Sequence, residues 1–106
     1  MLTWYFKKDV YMPQIDFRLH AIRRMFERNI SIEDIHAVLE SGEIIQDYPD
    51  DKPYPIRLLL GWRDNRPLHI VLAEDKQNDK IIIITAYEPD PNLWHPDFKN
   101  KKDTSS

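Results

Sequence analysis

Residues 43–87, "EIIQDYPDDKPYPIRLLLGWRDNRPLHIVLAEDKQNDKIIIITAY", decide the fold. Four short runs rich in Ile, Leu, Val and Tyr are separated by clusters of Asp, Asn and Pro, the pattern of consecutive strands and turns. "EIIQDY" (43–48) is a first strand, closed by "PDDKPYP", a loop with three prolines. "IRLLLGW" (56–62) is a second. "RPLHIVLAED" (66–75) is a third, reached through Asp64-Asn65, a two-residue hairpin pair in which both residues tolerate positive φ. "KIIIITAY" (80–87) is a fourth, and its β-branched run suits a central strand covered on both faces. Pairing through Asp64-Asn65 sets Arg63 opposite Arg66. Continued, that register puts His69 across from Leu60, with Trp62 one step along the same face.

Upstream of this block the period is helical. A first helix is predicted from about Ile15 to Asn29. Ser31 then reads as an N-cap, with Asp34 in a capping-box position. The second helix carries Ile32, Ile35, Val38 and Leu39 on one face and stops at Ser41-Gly42. At ~100° per residue, Ile15, Leu19, Ile22 and Phe26 fall in one arc, the expected core face, with Met25 on its flank. Arg24 lands nearly opposite. His20, Arg24 and Arg28, four residues apart, therefore form a ladder pointing away from the core. Residues 1–12 alternate loosely (Leu2, Trp4, Phe6), as a short strand does. Leu93, Trp94 and Phe98 are expected to dock after the sheet. Helices followed by strands imply an α+β domain over residues 1–98: two N-terminal helices on one face of a small antiparallel sheet of about four strands. Residues 99–106, "KNKKDTSS", are expected to be a disordered tail.

The absence of cysteine from the 106 residues excludes disulfides, thiolate-ligated zinc and thiol catalysis. It fits a reducing compartment, and a cytoplasmic location is expected. The start lacks a basic flank followed by a long apolar run, so no signal peptide is evident. The longest purely apolar run, "IIII", is far short of the ~20 residues of a membrane span, so no membrane partner is expected. The net charge of −3 counts against a free-standing nucleic-acid binder but leaves room for a local basic site. With two glycines, no Gly-rich phosphate loop can be built. The four histidines show no HxxH or HExxH spacing, so neither metal nor cofactor is expected. No nucleophile-elbow sequence surrounds any serine.

What remains is histidine, arginine and tyrosine. That set suits RNA cleavage, where the 2′-hydroxyl beside the scissile phosphate is itself the nucleophile. A protein then has only to take a proton, stabilise the phosphorane and protonate the leaving oxygen. Arginine's planar fork matches phosphate oxygens. Each residue also has a plainer reading. The ladder, with Glu27 beside Arg23 and Arg24, is an ordinary solvated face. His69 amid aliphatics is a satisfied structural histidine, and Tyr87, ending the fourth strand on the face of Thr85, caps the core.

Four segments in order, "HAIRRMFERNIS" (20–31), "SGEIIQDYPDD" (41–51), "LLLGWRDNRPLHIVLA" (58–73) and "IIIITAYEPDPNLW" (81–94), resemble the domain-of-unknown-function family 4258. Its members look like toxins of type II toxin–antitoxin pairs and are similar to the RelE, BrnT and MqsR group, which places two helices over a small antiparallel sheet and cleaves RNA without metal. The resemblance implies a metal-independent endoribonuclease restrained by an antitoxin protein and acting on RNA, including ribosome-associated mRNA. The family's catalytic positions then match His20, Arg24, His69 and Tyr87, with Arg28 and Trp62 as substrate-binding residues. Asn29 and Asn65 stand where the pattern often has glycine, a conservative change because asparagine also accepts left-handed geometry. The alternative expectation is a non-catalytic protein-interaction module of the same fold, using Trp4, Tyr11 and Trp94.

Overall fold

The computed structural model describes residues 13–103. The elements are β1 (Gln14–Phe17), α1 (Leu19–Glu27), α2 (Ile32–Ser41), β2 (Glu43–Tyr48), β3 (Ile56–Arg63), β4 (Arg66–Asp75) and β5 (Lys80–Tyr87). They build one five-stranded sheet in the order β1-β5-β4-β3-β2. Strands β2 to β5 run antiparallel, whereas β1 pairs parallel with β5, Gln14 opposite Lys80 and Phe17 opposite Ile83.

This corrects the expected architecture. The sheet is mixed and has five strands, and a strand precedes the first helix. Ile15, placed by the sequence pattern on the first turn of a helix, belongs to β1. The misreading has a physical source. A four-residue strand is too short to display alternation, and Ile15 happens to continue the helical spacing of Leu19, Ile22 and Phe26. What settles the local conformation is long-range. The Gln14 N–H donates to Asp79 O at 3.1 Å and the Arg18 N–H to Ile83 O at 3.1 Å. The extended backbone of Arg18 (φ −64°, ψ 146°) delays the helix to Leu19. The alternating segment at residues 1–12 lies outside the described residues.

Helix α1 ends in a Schellman arrangement. Asn29 takes φ 56°, its N–H bonds to Phe26 O, and the Ile30 N–H bonds to Met25 O at 2.8 Å. Ile30 and Met25, the two side chains this motif brings together, are both buried. Helix α2 starts with the expected capping box: Asp34 N–H donates to Ser31 Oγ at 3.0 Å and Ser31 N–H to Asp34 Oδ2 at 2.9 Å.

Both helices cover one face of the sheet. Ala21, Met25, Ile35, Val38 and Leu39 share a core with Leu59, Leu68, Ile70, Leu72, Ile83 and Ala86. Gly61 lets α2 approach β3 closely, since a Cβ there would sit 2.6 Å from Val38 Cγ2. On α1 the buried side chains are Ala21 and Met25, while Leu19, Ile22 and Phe26, the expected core arc, are 63%, 49% and 88% exposed. The helix sits on β5 through small and flexible residues, and its larger apolar side chains point outward.

The opposite face is crossed by the segment after β5. Trp94 and Lys101 form an antiparallel bridge, His95 N–H bonds to Asn100 O, and Lys102 N–H bonds to Leu93 O. Lys99 Nζ reaches Glu43 Oε1 at the far strand β2, 2.9 Å away. Lys101 and Lys102, within the stretch read as a tail, thus close a strap over the sheet.

Candidate functional site

The register reads as expected from the hairpin: Leu60 pairs with His69, Trp62 with Pro67 and Arg63 with Arg66. His69 also pairs with Tyr87 on β5. Side chains alternate across a sheet, so Leu60, Trp62, His69 and Tyr87 occupy the face away from the helices. There the strap encloses His69 completely; the residue is 0% exposed. Its ring meets Trp94 edge-on at 4.6 Å between centroids and Tyr87 at 5.3 Å. Its Nε2 lies 2.8 Å from Phe98 O and its Nδ1 3.3 Å from the Tyr87 hydroxyl.

A carbonyl oxygen only accepts, so Nε2 carries the proton, and neutral Nδ1 accepts from the Tyr87 O–H. Burial drives the His69 pKa below 6.5, which keeps the ring neutral, against the Phe98 carbonyl that favours the charged form. Tyr87 is half-buried, and burial raises its phenol pKa above the usual value, opposed by the Arg28 guanidinium nearby. With its proton aimed at His69, the phenol offers a lone pair outward. His69 therefore orients Tyr87 and does not itself face solvent. Trp62, 48% exposed, packs edge-on against Phe98 with centroids 5.9 Å apart.

The ladder comes from the other layer. His20, Arg24 and Arg28 are exposed and lie along one flank of α1, one turn apart. Strand β1 leaves β5 after Ile83, so the outer edge of Thr85–Tyr87 is open beyond it. Arg28 reaches across that edge: its Nη1 donates to Ala86 O at 2.8 Å and approaches Thr85 Oγ1 at 3.5 Å. Of the ladder residues, Arg28 is the one with hydrogen bonds to β5. Arg24 instead pairs with Glu27 at 3.1 Å, both side chains more than half exposed. Such a surface pair contributes at most ~1 kcal/mol and exchanges readily for a stronger anion.

Two residues escaped the sequence reading. Arg66 donates from Nη1 to Asn29 O (2.8 Å) and from Nη2 to Arg28 O (2.7 Å), and its Nε reaches Glu88 at 3.2 Å. It ties the C-terminal carbonyls of α1 to the start of β4 and so fixes where Arg28 begins. Thr85 receives Arg28 at the open edge. The partners lie 37 and 57 residues apart along the chain, and no local pattern signals such contacts.

The structure brings together His69, Tyr87 and, at the edge, Arg28. It sets Arg24 and His20 one and two turns back on α1 and Trp62 at the rim of the strap, half-exposed against Phe98. Two open hollows, of about 500 and 380 Å³, lie elsewhere: one over α2 lined by Ile32, His36, Glu40 and Arg63, the other beside Asp16, Arg18 and Tyr54. Trp94 docks on the sheet as expected and is buried at 7% exposure, so it is not the exposed aromatic that the interaction-module alternative requires, while Trp4 and Tyr11 lie outside the described residues. Among the described residues, no three His, Asp or Glu side chains cluster as a metal site would require. Among them, too, no helix is long and apolar enough to cross a membrane.

No curated protein and no solved structure matches the chain. One family model does, over residues 17–88, a span from the end of β1 through β5 that holds the ladder, His69 and Tyr87. The chain therefore belongs to the family described as domain of unknown function (DUF4258).

Proposed function

We propose that the protein is a toxin-type endoribonuclease of a toxin–antitoxin pair, acting in the cytoplasm and cleaving RNA without a metal ion. The observation that supports this reading is the approach of Arg28 to the open end of β5 beside Tyr87, with Arg24 and His20 one and two turns back on the same flank. An extended RNA backbone laid along that flank meets two guanidinium groups and an imidazole in succession. His20 takes the proton of the 2′-hydroxyl as its oxygen attacks phosphorus. Arg24 and Arg28 stabilise the phosphorane, and the P–O5′ bond breaks to leave a 2′,3′-cyclic phosphate. The leaving 5′-oxygen takes its proton from water at the open flank. Tyr87, held by His69, offers its oxygen to a ribose hydroxyl and sets the register of the strand. A second reading, a non-catalytic interaction module restrained to protein partners, draws support from the exposed apolar side chains of α1.

Purified protein is expected to cleave single-stranded RNA in the presence of EDTA and to leave cyclic phosphate ends. His20→Ala and Arg24→Ala should each lower the rate by about 10²-fold or more, the usual weight of a general base or a transition-state charge contact. Their melting temperatures should stay at the wild-type value, because both side chains are exposed. Cleavage unaffected by either substitution would remove the ladder from the chemistry.

A further inference from the structure

The other flank of α1 has no use in that reading. Leu19, Ile22 and Phe26 follow one another at i, i+3 and i+7, so they form a continuous apolar stripe, and all three are exposed, Phe26 by 88%. About 70° to either side of it on the helix stand Arg18 and Arg23. Both are exposed, and neither makes an ion pair with any described residue. Between Arg18 and Arg28 the chain places four arginines against one glutamate, although its net charge is −3. An apolar stripe bordered by unpaired cations is a surface with two halves of a recognition code: anchors that want a dry partner, and charges that want acidic neighbours.

We propose that this flank of α1 docks an acidic amphipathic segment of a different protein, a helix whose apolar residues meet Leu19, Ile22 and Phe26 and whose Asp or Glu side chains reach Arg18 and Arg23. Helix-in-groove recognition uses this spacing of anchors, and an exposed aromatic flanked by smaller apolar groups is the usual energetic centre of such an interface. A second copy of the chain fits poorly. A two-fold interface places each patch against itself, setting four arginines of one copy against four of the other with Glu27 as the one carboxylate of each stretch. Residues 1–12 supply no acidic surplus either, with Lys7 and Lys8 against Asp9. RNA would use Arg18 and Arg23 but leave Leu19 and Ile22 wet. The inference stands whether or not the opposite flank cleaves RNA.

The test uses the full chain, isotope-labelled, titrated with two synthetic peptides of about 18 residues, roughly five helical turns. One carries a leucine stripe flanked by glutamates; the other has lysine at every glutamate position. The acidic peptide is expected to shift the backbone amides of residues 18–28 and to bind about tenfold or more tighter than the basic one. Phe26→Ser should weaken it by about tenfold, and Arg23→Glu should reverse the preference between peptides, both at unchanged melting temperature. Phe26→Ser should also leave RNA cleavage at the wild-type rate, so failure of peptide binding and failure of the ribonuclease reading are separate results. Equal affinity for the two peptides, amide shifts confined to other elements, or an unaffected Phe26→Ser variant would overturn the proposal. So would sedimentation showing a dimer that Phe26→Ser dissolves, or an RNA oligonucleotide whose binding is lost in that variant.

Discussion

His69 shows how much one residue can carry and how little of that is written beside it. Its position opposite Leu60, on the face of Trp62, follows from the Asp64-Asn65 hairpin alone. What seals it does not: Phe98, whose carbonyl accepts its Nε2–H, lies 29 residues further on. Phe98 holds φ 55°, a left-handed conformation unfavourable for a bulky side chain, so the strap is bent there against local preference. A ring held neutral by burial makes stability depend on pH in a definite sense. The folded pKa lies below 6.5, so between the two values the unfolded chain binds the proton more readily. The contribution of His69 is therefore fully present above the unfolded value and is lost as pH falls through it towards the folded one. Urea midpoints are expected to decline from about pH 7.5 to 5.5, and His69→Gln should flatten that stretch. An unchanged slope in the variant would mean that another group governs it.

At the scale of elements, β2, β4 and β5 run between the residues at which their sequence patterns begin and end, Glu43–Tyr48, Arg66–Asp75 and Lys80–Tyr87. Each is bounded by turn residues that hold in any context. Helix α2 was equally legible, because Ser31 and Asp34 close their capping box within one turn. Helix α1 was not. Its spacing points to the largest apolar residues as the core side, yet β5 receives it through Ala21 and Met25, and only the sheet beneath decides which side that is. The contact of α2 with β3 turns on a smaller detail. Gly61 has no positive φ to require glycine, so its role is space: an added Cβ would lie 2.6, 2.8 and 2.9 Å from three carbons of Val38. Gly61→Ala is expected to cost about 1–3 kcal/mol by overpacking. Val38→Ala alone costs a cavity, whereas in the double variant the new methyl fills part of the space that Val38 vacates. Denaturation of the four proteins should then give a favourable coupling of about 1 kcal/mol or more. Simple additivity would contradict the close approach.

Across the whole molecule, charge is arranged rather than abundant. Asp47, Asp50, Asp51, Glu74 and Asp75 share the end of the sheet away from Tyr87, and there Arg57 pairs with Asp47 and Glu74. The arginines of α1 sit on the outer side of the helix that covers β5. Net charge is thus a poor guide to what one surface binds, and the sum of −3, which alone argues against nucleic acid, leaves the ladder intact as a local cation. The same arrangement limits how RNA can bind. A strand laid along the ladder meets two permanent cations, Arg24 and Arg28, with His20 acting as a neutral base, so it can neutralise only about two phosphates there. Single-stranded binding releases counter-ions with a slope of ~0.7 per phosphate, so log K against log salt should fall with a slope of about −1.4. Arg24→Ala should reduce it by ~0.7. A slope of −5 or steeper, within the same ~0.7 scaling, would demand a cationic track that this chain does not have on α1, and the ribonuclease reading would then need a different surface. A slope near zero would mean that phosphate is not what the ladder holds, leaving the apolar flank of the helix as its working side.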